Sequence, residues 1–268
     1  MSDRVVCTII DRVADVRLNR PDKLNALDDE MFDALTATIL MLRARDDVSA
    51  VVLSGNGRAF CAGLDLGSIK AMAEGRAFRP ANADAVTGDG WSEAEIAMSR
   101  GQRVSLGWRG LPMPVIAAVH GVALGGGLQI AMGSDILIAH PEAKLGLAEM
   151  RWGFTPDMSG TQLLPRLVGR GPAAEMIFAA RPVDGVRAAA IGLASRVADD
   201  PRAEALMLAG EIAAHNPEAV VMCKRLLDLA GSADLGEGLA MERHSMKTIV
   251  GTPGQRAVAA AALAARGG

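Results

Sequence analysis

The sequence predicts an α/β protein built from repeated strand–turn–helix units and completed by a run of helices. Residues 50–70 and 115–133 share one order of elements: a buried apolar strand, a glycine turn, and then small residues or a helix. After about Asp199 the pattern becomes almost wholly helical. Helical segments are expected at 201–214, 217–230 and 234–250, before an alanine-rich tail. We therefore expect a core over residues 1–198 and a helical region over 199–268.

The first fifty residues predict a β-hairpin followed by an amphipathic helix. Alternating apolar residues indicate strands from Val5 to Ile10 and from Val13 to Leu18. Asp28 is a residue type that caps helices, and the helix it begins should reach about Arg45. The apolar face of this helix is expected to consist of Met31, Leu35, Ile39 and Leu42.

The stretch between the two repeated units differs from them in amino-acid composition. Glycine, proline and polar residues over 67–91 predict a long loop. Ser92 and Glu95 then form a capping-box pattern, which predicts a helix running towards Trp108. A further short buried strand is expected at 136–138.

Composition excludes several classes of function. The formal net charge is −3, tyrosine is absent and only 3% of the residues are aromatic, which argues against a nucleic-acid-binding surface. Cys7, Cys61 and Cys223 are odd in number and scattered, so neither a disulfide framework nor a metal site is expected. No apolar run approaches the length of a membrane span, and the first residues lack a signal-peptide pattern. We expect a cytoplasmic protein without a membrane span.

The most informative local pattern is Gly125–Gly127 followed, twenty residues later, by Glu149. A strand, a glycine turn and a helix start leave unpaired backbone N–H groups that can face a ligand oxygen. These groups would form half of an oxyanion hole, with Glu149 as a proton carrier. The equally simple alternative is a close helix–strand contact that excludes side chains. The segment Arg58–Leu66, which follows another strand and turn, could supply the second half.

Three segments together resemble the signatures of the crotonase (enoyl-CoA hydratase/isomerase) superfamily. They are Asn19–Leu27 (NRPDKLNAL), Phe60–Leu66 (FCAGLDL) and His120–Gly127 (HGVALGGG). The segments Leu147–Glu149 and Gly160–Gly169 extend the match, which covers roughly residues 5–230 in order. The resemblance implies a crotonase-type spiral of ββα turns, with a C-terminal helical region that forms trimers or pairs of trimers.

The resemblance also implies an acyl-CoA thioester as substrate, with no cofactor beyond the coenzyme A that it carries. The thioester carbonyl would be held by the backbone N–H groups of Leu64 and Gly126. Further substrate contacts are implied at Leu24, Ala26, Ala62, Asp65, Leu66, Gly125 and Gln129. The family's Phe and Lys near the C-terminus, which help to enclose CoA, correspond here to Ala261 and Ala264, so the CoA clamp differs.

Reaction type depends on three positions. Hydratases of the family carry two glutamates, and here the first position holds Gln129, whose amide cannot accept a proton near neutral pH. Glu149 matches the second position. Asp157 lies eight residues later, which is similar to the dienoyl-CoA isomerase branch, although that branch normally has an Asp at position 129.

Each of these residues has a simpler interpretation. Asp157 could cap the following helix, Glu149 could be a solvated surface carboxylate, and Gln129 could be an ordinary helix residue. Cys61 lacks an activating base at any obvious spacing and is expected to be a small buried residue. His120 and His140 are expected to be structural, and Asp65 is expected to stabilise its own turn.

We therefore expect an acyl-CoA enzyme that stabilises a thioester enolate. It would move a proton with Glu149, assisted by Asp157, and isomerise the double bond of an unsaturated acyl-CoA. The alternative within the superfamily is 2-enoyl-CoA hydration, with Gln129 and Asp157 positioning the water. The alternative from another class is a weakly active acyl-CoA-binding scaffold.

Overall fold

The computed structural model describes residues 3–76 and 90–266. Its strands, in chain order, are β1 Val5–Ile10, β2 Val13–Leu18, β3 Ala50–Gly55, β4 Val115–Val119, β5 Val122–Leu124, β6 Ile136–Ala139, β7 Lys144–Gly146 and β8 Arg196–Val197. Six of them form one sheet in the order β1-β2-β3-β4-β6-β8, and β5 pairs with β7 in a second, small sheet. Only the β1–β2 hairpin is antiparallel among these pairs.

Twelve α-helices lie within the described residues. They are α1 Asp29–Arg43, α2 Leu66–Ala73, α3 Glu93–Ile96, α4 Arg100–Arg109, α5 Gly126–Met132, α6 Gly160–Val168, α7 Arg170–Phe178, α8 Gly185–Ala190, α9 Pro201–Ala213, α10 Pro217–Ala230, α11 Leu235–Ile249 and α12 Pro253–Arg266. Short 3₁₀ turns occupy Pro21–Lys23 and Glu149–Trp152. None of the helices in these two ranges combines the length and apolar character that crossing a bilayer requires.

The predicted repeat is present as successive turns of a spiral. Each turn contributes one strand to the large sheet and then a second extended segment. The second segment pairs with the equivalent segment of a neighbouring turn, outside the large sheet. Cys61 pairs with Ala123 of β5, β5 pairs with β7, and Leu145 of β7 pairs with Val183. The extended segments that follow the large-sheet strands are thus stacked side by side, and the candidate site lies along this stack.

Both faces of the large sheet are buried, which explains the unbroken apolar runs of its strands. Along β3, Val51 and Leu53 join the main core, whereas Ala50 and Val52 pack on the opposite face. Helices α1, α4 and α5 contribute to the main core. Helix α9 covers the opposite face through the fully buried Ala205 and Ala209. The predicted boundary between a core and a helical region after residue 198 stays a prediction. Helix α9, which lies beyond this boundary, packs directly on the large sheet.

The local predictions for the first fifty residues are confirmed. The hairpin has the predicted bounds, and the Asp28 carboxylate accepts a hydrogen bond from the Met31 N–H at the start of α1. All four residues of the predicted apolar face of α1 are fully buried. This agreement is expected because the period of the apolar residues and the cap indicate the same helix.

Two predictions between residues 66 and 109 were wrong. The long loop expected over 67–91 contains α2, whose first turn is capped by Asp65 accepting from the Gly67 N–H. Residues 77–89 of that loop lie outside the described residues. The single helix expected from Ser92 towards Trp108 is two helices, because α3 ends at Ile96 and a second capping box, formed by Ser99 and Gln102, begins α4.

The C-terminal helices match the predicted segments, and a partly buried ion pair connects α10 to the core. Lys224 of α10 donates from Nζ to an Asp135 carboxylate oxygen at 2.8 Å and to the Met113 carbonyl at 3.0 Å. Beyond this anchor the helices expose large apolar side chains, among them Leu227, Leu235 and Leu263.

Candidate active site

A cavity of about 660 Å³ opens between α1, α2, the start of α5 and the segment 148–158. Most of its wall is apolar. The apolar side chains that line it are Leu27, Phe32, Leu64, Leu66, Ile69, Met72, Leu124, Trp152, Phe154 and Met158. The charged residues in its lining are Asp29, Arg100, Glu149, Arg151 and Asp157. The cavity is therefore suited to a long apolar group that carries a reactive polar centre.

The two glycine turns meet at the floor of this cavity. The Leu124 N–H donates to the Cys61 carbonyl at 3.0 Å, which holds the segments 61–64 and 122–126 alongside each other. A Cβ at Gly63 would lie 3.6 Å from the Gly126 nitrogen. Neither the Leu64 nor the Gly126 N–H donates a hydrogen bond within the described part of the chain. Two unpaired donors thus face one cavity.

Two glycines of the run, Gly125 and Gly127, have separate steric reasons. Gly125 has φ +52°, and a Cβ there would lie 3.2 Å from Glu149 Oε1. A Cβ at Gly127 would come within 2.4 Å of the Cys61 carbonyl oxygen. Both interpretations of the glycine run therefore apply: Gly127 permits a close helix–strand contact, and the turn before it leaves donors at the helix start.

Glu149 lies in the wall of the cavity and is not a solvated surface carboxylate. Its Oε1 accepts a 2.6 Å hydrogen bond from Gln129 Nε2, and its Oε2 is buried without a hydrogen-bond partner among the described residues. Burial raises the pKa of Glu149, and the negative charge of Asp157 raises it further, against the opposing effect of the Gln129 hydrogen bond. A carboxyl group whose pKa is raised in this way, in the wall of a cavity, is a candidate for exchanging a proton with a ligand.

Gln129 is fully buried beneath the cavity, on α5. Its Oε1 accepts hydrogen bonds from the Met158 N–H at 2.9 Å and the Gly160 N–H at 2.7 Å, while Nε2 donates to Glu149. A Cβ at Gly160 would lie 2.7 Å from Oε1, so the amide and the turn fit closely. The side chain is thus engaged with protein groups and does not line the cavity.

Asp157 does not cap the helix that follows it. The N-cap of α6 is Ser159, with φ +78° and no side-chain cap bond. Asp157 lines the cavity instead, and partial desolvation there raises the pKa of its carboxyl group. The alternative of a helix cap is therefore wrong. The carboxylate is exposed at the cavity wall on the same side as Glu149.

The other predicted contacts divide into two groups. Ala62, Leu64, Leu66, Gly125 and Gly126 line the cavity, whereas Leu24, Ala26 and Asp65 do not. The Leu24 carbonyl accepts from the Ala62 N–H at 2.9 Å, so it supports the lining from behind. Asp65 caps α2 and pairs with Arg20 at 2.6 Å, so it stabilises its own turn as predicted.

The remaining reactive side chains are structural. Cys61 is fully buried, and burial raises the pKa of its thiol to about 12, which rules out a thiolate nucleophile near neutral pH. His120 Nε2 contacts the Gly57 carbonyl at 2.9 Å, and His140 Nδ1 accepts from the Glu142 N–H. No cluster of metal-ligating side chains occurs in residues 3–76 and 90–266.

Sequence reasoning missed much of the cavity wall. Phe32 comes from α1 and Met72 from α2, and Arg100 of α4 bonds to Asp29 at 2.7 Å across the cavity wall. These residues are distant in sequence and have no shared pattern. Trp152 and Phe154 could have been noticed, since they flank a glycine just after Glu149 in a chain that has few aromatic residues.

Comparison with known proteins agrees with this geometry. The model of the family Enoyl-CoA hydratase/isomerase matches residues 8–256. A short-chain-enoyl-CoA hydratase of Clostridium acetobutylicum is 34% identical over 250 residues, covering 91% of this chain and 88% of its own length.

Solved structures give the same result. An enoyl-CoA hydratase of Mycobacterium smegmatis matches with a TM-score of 0.80 and 30% identity, covering 98% of this chain and 96% of the other. An enoyl-CoA hydratase of Bacillus anthracis matches with a TM-score of 0.79 and 30% identity, covering 93% and 92%.

Proposed function

The chain belongs to the enoyl-CoA hydratase/isomerase family, and we propose that within this family it shifts the double bond of an unsaturated acyl-CoA. It is an enzyme of the crotonase superfamily. Isomerisation is favoured by one observation: Glu149, which lines the cavity, has a buried carboxylate oxygen without a hydrogen-bond partner among the described residues, while position 129 holds an amide. Hydration in this family is associated with two glutamates, and the first of them is replaced here by Gln129.

The proposed reaction uses the two unpaired N–H groups as an oxyanion hole. The Leu64 and Gly126 donors would bind the thioester oxygen and stabilise the negative charge that develops on it. Glu149 Oε2 would take a proton from the α carbon of a 3-enoyl thioester, and the C–H electron pair would enter a dienolate. Return of the proton to the γ carbon gives the 2-enoyl product, so atoms and electrons balance without a further reactant.

Asp157 is proposed as a second proton carrier for longer conjugated chains. A 1,3 shift can be served by one carboxylate that reaches both carbons, whereas a 1,5 shift spans a greater distance. Asp157 lies in the same cavity wall as Glu149, and the pKa values of both carboxyl groups are raised by desolvation. Two such carboxyl groups can donate and accept protons near neutral pH.

Hydration of a 2-enoyl-CoA is the second candidate within the family. It is favoured by the names of the similar proteins, several of which are enoyl-CoA hydratases. In that case Asp157 would position the attacking water. The candidate from another class is a scaffold that binds acyl-CoA and turns it over weakly.

We further propose a homotrimer, or a pair of trimers, located in the cytoplasm. Support comes from the family and from exposed apolar side chains on α10–α12, among them Leu227, Leu235 and Leu263. The cysteines are free thiols, which fits a reducing compartment. CoA would arrive as part of the substrate, with no separate cofactor.

The purified chain is expected to have the mass of a trimer, or a multiple of it, at micromolar concentration. The measurement is light scattering after size exclusion. Leu235→Glu, which places a charge on the exposed apolar surface of α11, should shift the mass towards a monomer, whereas Glu237→Gln on the same helix should not. A stable wild-type monomer would contradict the proposed assembly.

Incubation with a 2-enoyl-, a 3-enoyl- and a 3,5-dienoyl-CoA tests the proposed function directly. The last two substrates should change their ultraviolet absorbance at constant mass, as expected for a double-bond shift. A gain of one water on the 2-enoyl substrate at a higher rate would identify a hydratase. Binding of all three substrates without turnover would indicate the scaffold.

Glu149→Gln tests in the same assay whether Glu149 carries the proton. The substituted amide can still accept the Gln129 hydrogen bond through its oxygen, but it cannot accept a proton. Turnover should fall at least about a hundredfold, with little change in acyl-CoA affinity. Glu142→Gln, at an exposed position outside the cavity, is the matched variant and should retain wild-type turnover. Wild-type turnover in Glu149→Gln would mean that another group carries the proton.

Asp157→Asn should separate the two isomerisations. Because α6 is not capped by Asp157, the substitution should leave folding intact. Dienoyl turnover should fall about tenfold or more, whereas 3-enoyl turnover should persist on Glu149 alone. The matched control is Asp184→Asn, at the start of α8. Equal wild-type rates for Asp157→Asn on both substrates would exclude Asp157 as a proton carrier.

A further inference from the structure

We propose that Gln129 is a positioning residue: it holds Glu149 by engaging Oε1 and leaving Oε2 without a protein partner among the described residues, and it fixes the turn that precedes α6 and follows Asp157. This inference rests on the proposed function for its catalytic consequence. It concerns a side chain that is fully buried and that does not touch the cavity.

The orientation of the Gln129 amide follows from its partners. Its Oε1 faces two N–H donors, from Met158 at 2.9 Å and Gly160 at 2.7 Å. A flipped amide would place its NH₂ group against those two donors and its oxygen against a carboxylate oxygen. The observed orientation is therefore the stable one, and it makes Nε2 a fixed donor to Glu149 Oε1 at 2.6 Å.

This bond makes the two oxygens of Glu149 unequal. Oε1 is bound to a neutral donor that cannot lose its proton, while Oε2 is buried and unpartnered within the described residues. The donor also stabilises the charged form of Glu149, which limits the rise in pKa that burial causes. Glu149 is thereby held with one oxygen available for proton exchange.

The same amide couples the two carboxylates of the site. Met158 and Gly160 flank Ser159, whose φ is +78°, and Asp157 immediately precedes this turn. The two bonds to Gln129 Oε1 hold the turn against α5. A Cβ at Gly160 would lie 2.7 Å from that oxygen, so a larger residue there would displace the amide from its two backbone donors. Displacing the amide would therefore move both Glu149 and Asp157.

Few other charges face Glu149. Asp157 is the charged residue whose field acts on it directly. Across the cavity, Arg100 of α4 is bonded to Asp29 of α1 at 2.7 Å. Arg151, in the same 3₁₀ turn as Glu149, donates to the Ala180 carbonyl at 3.0 Å. A change at position 129 should therefore act on Glu149 through the direct hydrogen bond.

A glutamate at position 129 would not supply an independent base. One of its oxygens could accept the two backbone N–H groups, but the other would lie about 2.6 Å from Glu149 Oε1 if it occupied the position of Nε2. Two carboxylates at that distance share one proton, and their titration belongs to the pair. The amide thus keeps Glu149 a single, independently titrating carboxylate.

The test is the pH dependence of kcat/KM for 3-enoyl-CoA isomerisation in four proteins: wild type, Gln129→Met, Gln129→Glu and Gln162→Glu. Gln129→Met removes the donor and should lower kcat about tenfold or more. It should also move the acid limb of the profile to higher pH, with KM changed less than kcat. Gln129→Glu should move that limb further, by roughly one unit or more. Gln162→Glu adds the same charge at an exposed site and should leave the profile unchanged.

An acid limb at the wild-type pH in both Gln129 variants would overturn the proposal. A gain of hydratase activity in Gln129→Glu with an unshifted acid limb would also overturn it, because that result would mean that the introduced carboxylate acts as a second, independent base. Should Gln129→Met fail to fold, Gln129→Glu, which can retain both backbone hydrogen bonds, still decides the question.

A measurement without turnover separates this proposal from the proposed function. Carbon-13 labelling of glutamate side chains allows the Glu149 carboxyl to be titrated by NMR, with Glu149→Gln assigning its signal. The pKa should rise in Gln129→Met and rise further in Gln129→Glu, relative to Gln162→Glu. An unchanged titration overturns the positioning role even if the enzyme proves to be a hydratase. A shifted titration in a protein without isomerase activity means that only the assigned reaction is wrong.

Discussion

The close approach of the start of α5 to the segment 61–64 is the constraint on which the site depends. A Cβ at Gly127 would come within 2.4 Å of the Cys61 carbonyl oxygen. A Cβ at Gly63 would lie 2.6 Å from the Leu124 carbonyl oxygen, so both positions are restricted to glycine. Larger residues would separate the two segments. Their separation would move Leu64 away from Gly126, and the oxyanion hole proposed for their N–H groups would be lost.

The same helix start controls the acid–base side of the site. Gln129 extends from α5 to Glu149 in one direction and to the 158–160 turn in the other. One of the two proposed carbonyl-binding donors, Gly126, and the contacts that hold Glu149 and the turn after Asp157 therefore come from one element, α5. An apolar wall around them raises the pKa of Glu149 and strengthens the electrostatic interactions inside the cavity. The position of the Glu149 carboxyl group and its raised pKa thus both follow from its place between Gln129 of α5 and the apolar cavity wall.

The sequence predicted those features of the fold that depend on patterns between nearby residues. The hairpin, the Asp28 cap, the α1 apolar face and the C-terminal helices follow from residue period and capping chemistry. The family signatures implied an oxyanion hole at Leu64 and Gly126 and a proton carrier at Glu149. These roles stay predictions, and the three residues line one cavity.

Contacts between distant segments could not be predicted in this way. The Gln129–Glu149 bond joins residues twenty positions apart, and the role of Gln129 depends on backbone N–H groups about thirty positions away. The break between α3 and α4 was missed because only the first of the two capping boxes, Ser92 with Glu95, was used to predict a helix, and the second, Ser99 with Gln102, was not. A capping pattern at Asp157 was equally consistent with its sequence, and only the fold shows that Ser159 begins α6.

The most direct test of the account is a structure of the enzyme with a saturated acyl-CoA, which has no double bond to move. We expect its thioester oxygen within about 2.7–3.1 Å of both the Leu64 and Gly126 nitrogens. Glu149 Oε2 should lie about 3–3.5 Å from the α carbon, with Oε1 still bound to Gln129. A thioester oxygen held by other groups, or an α carbon out of reach of Glu149, would contradict the account.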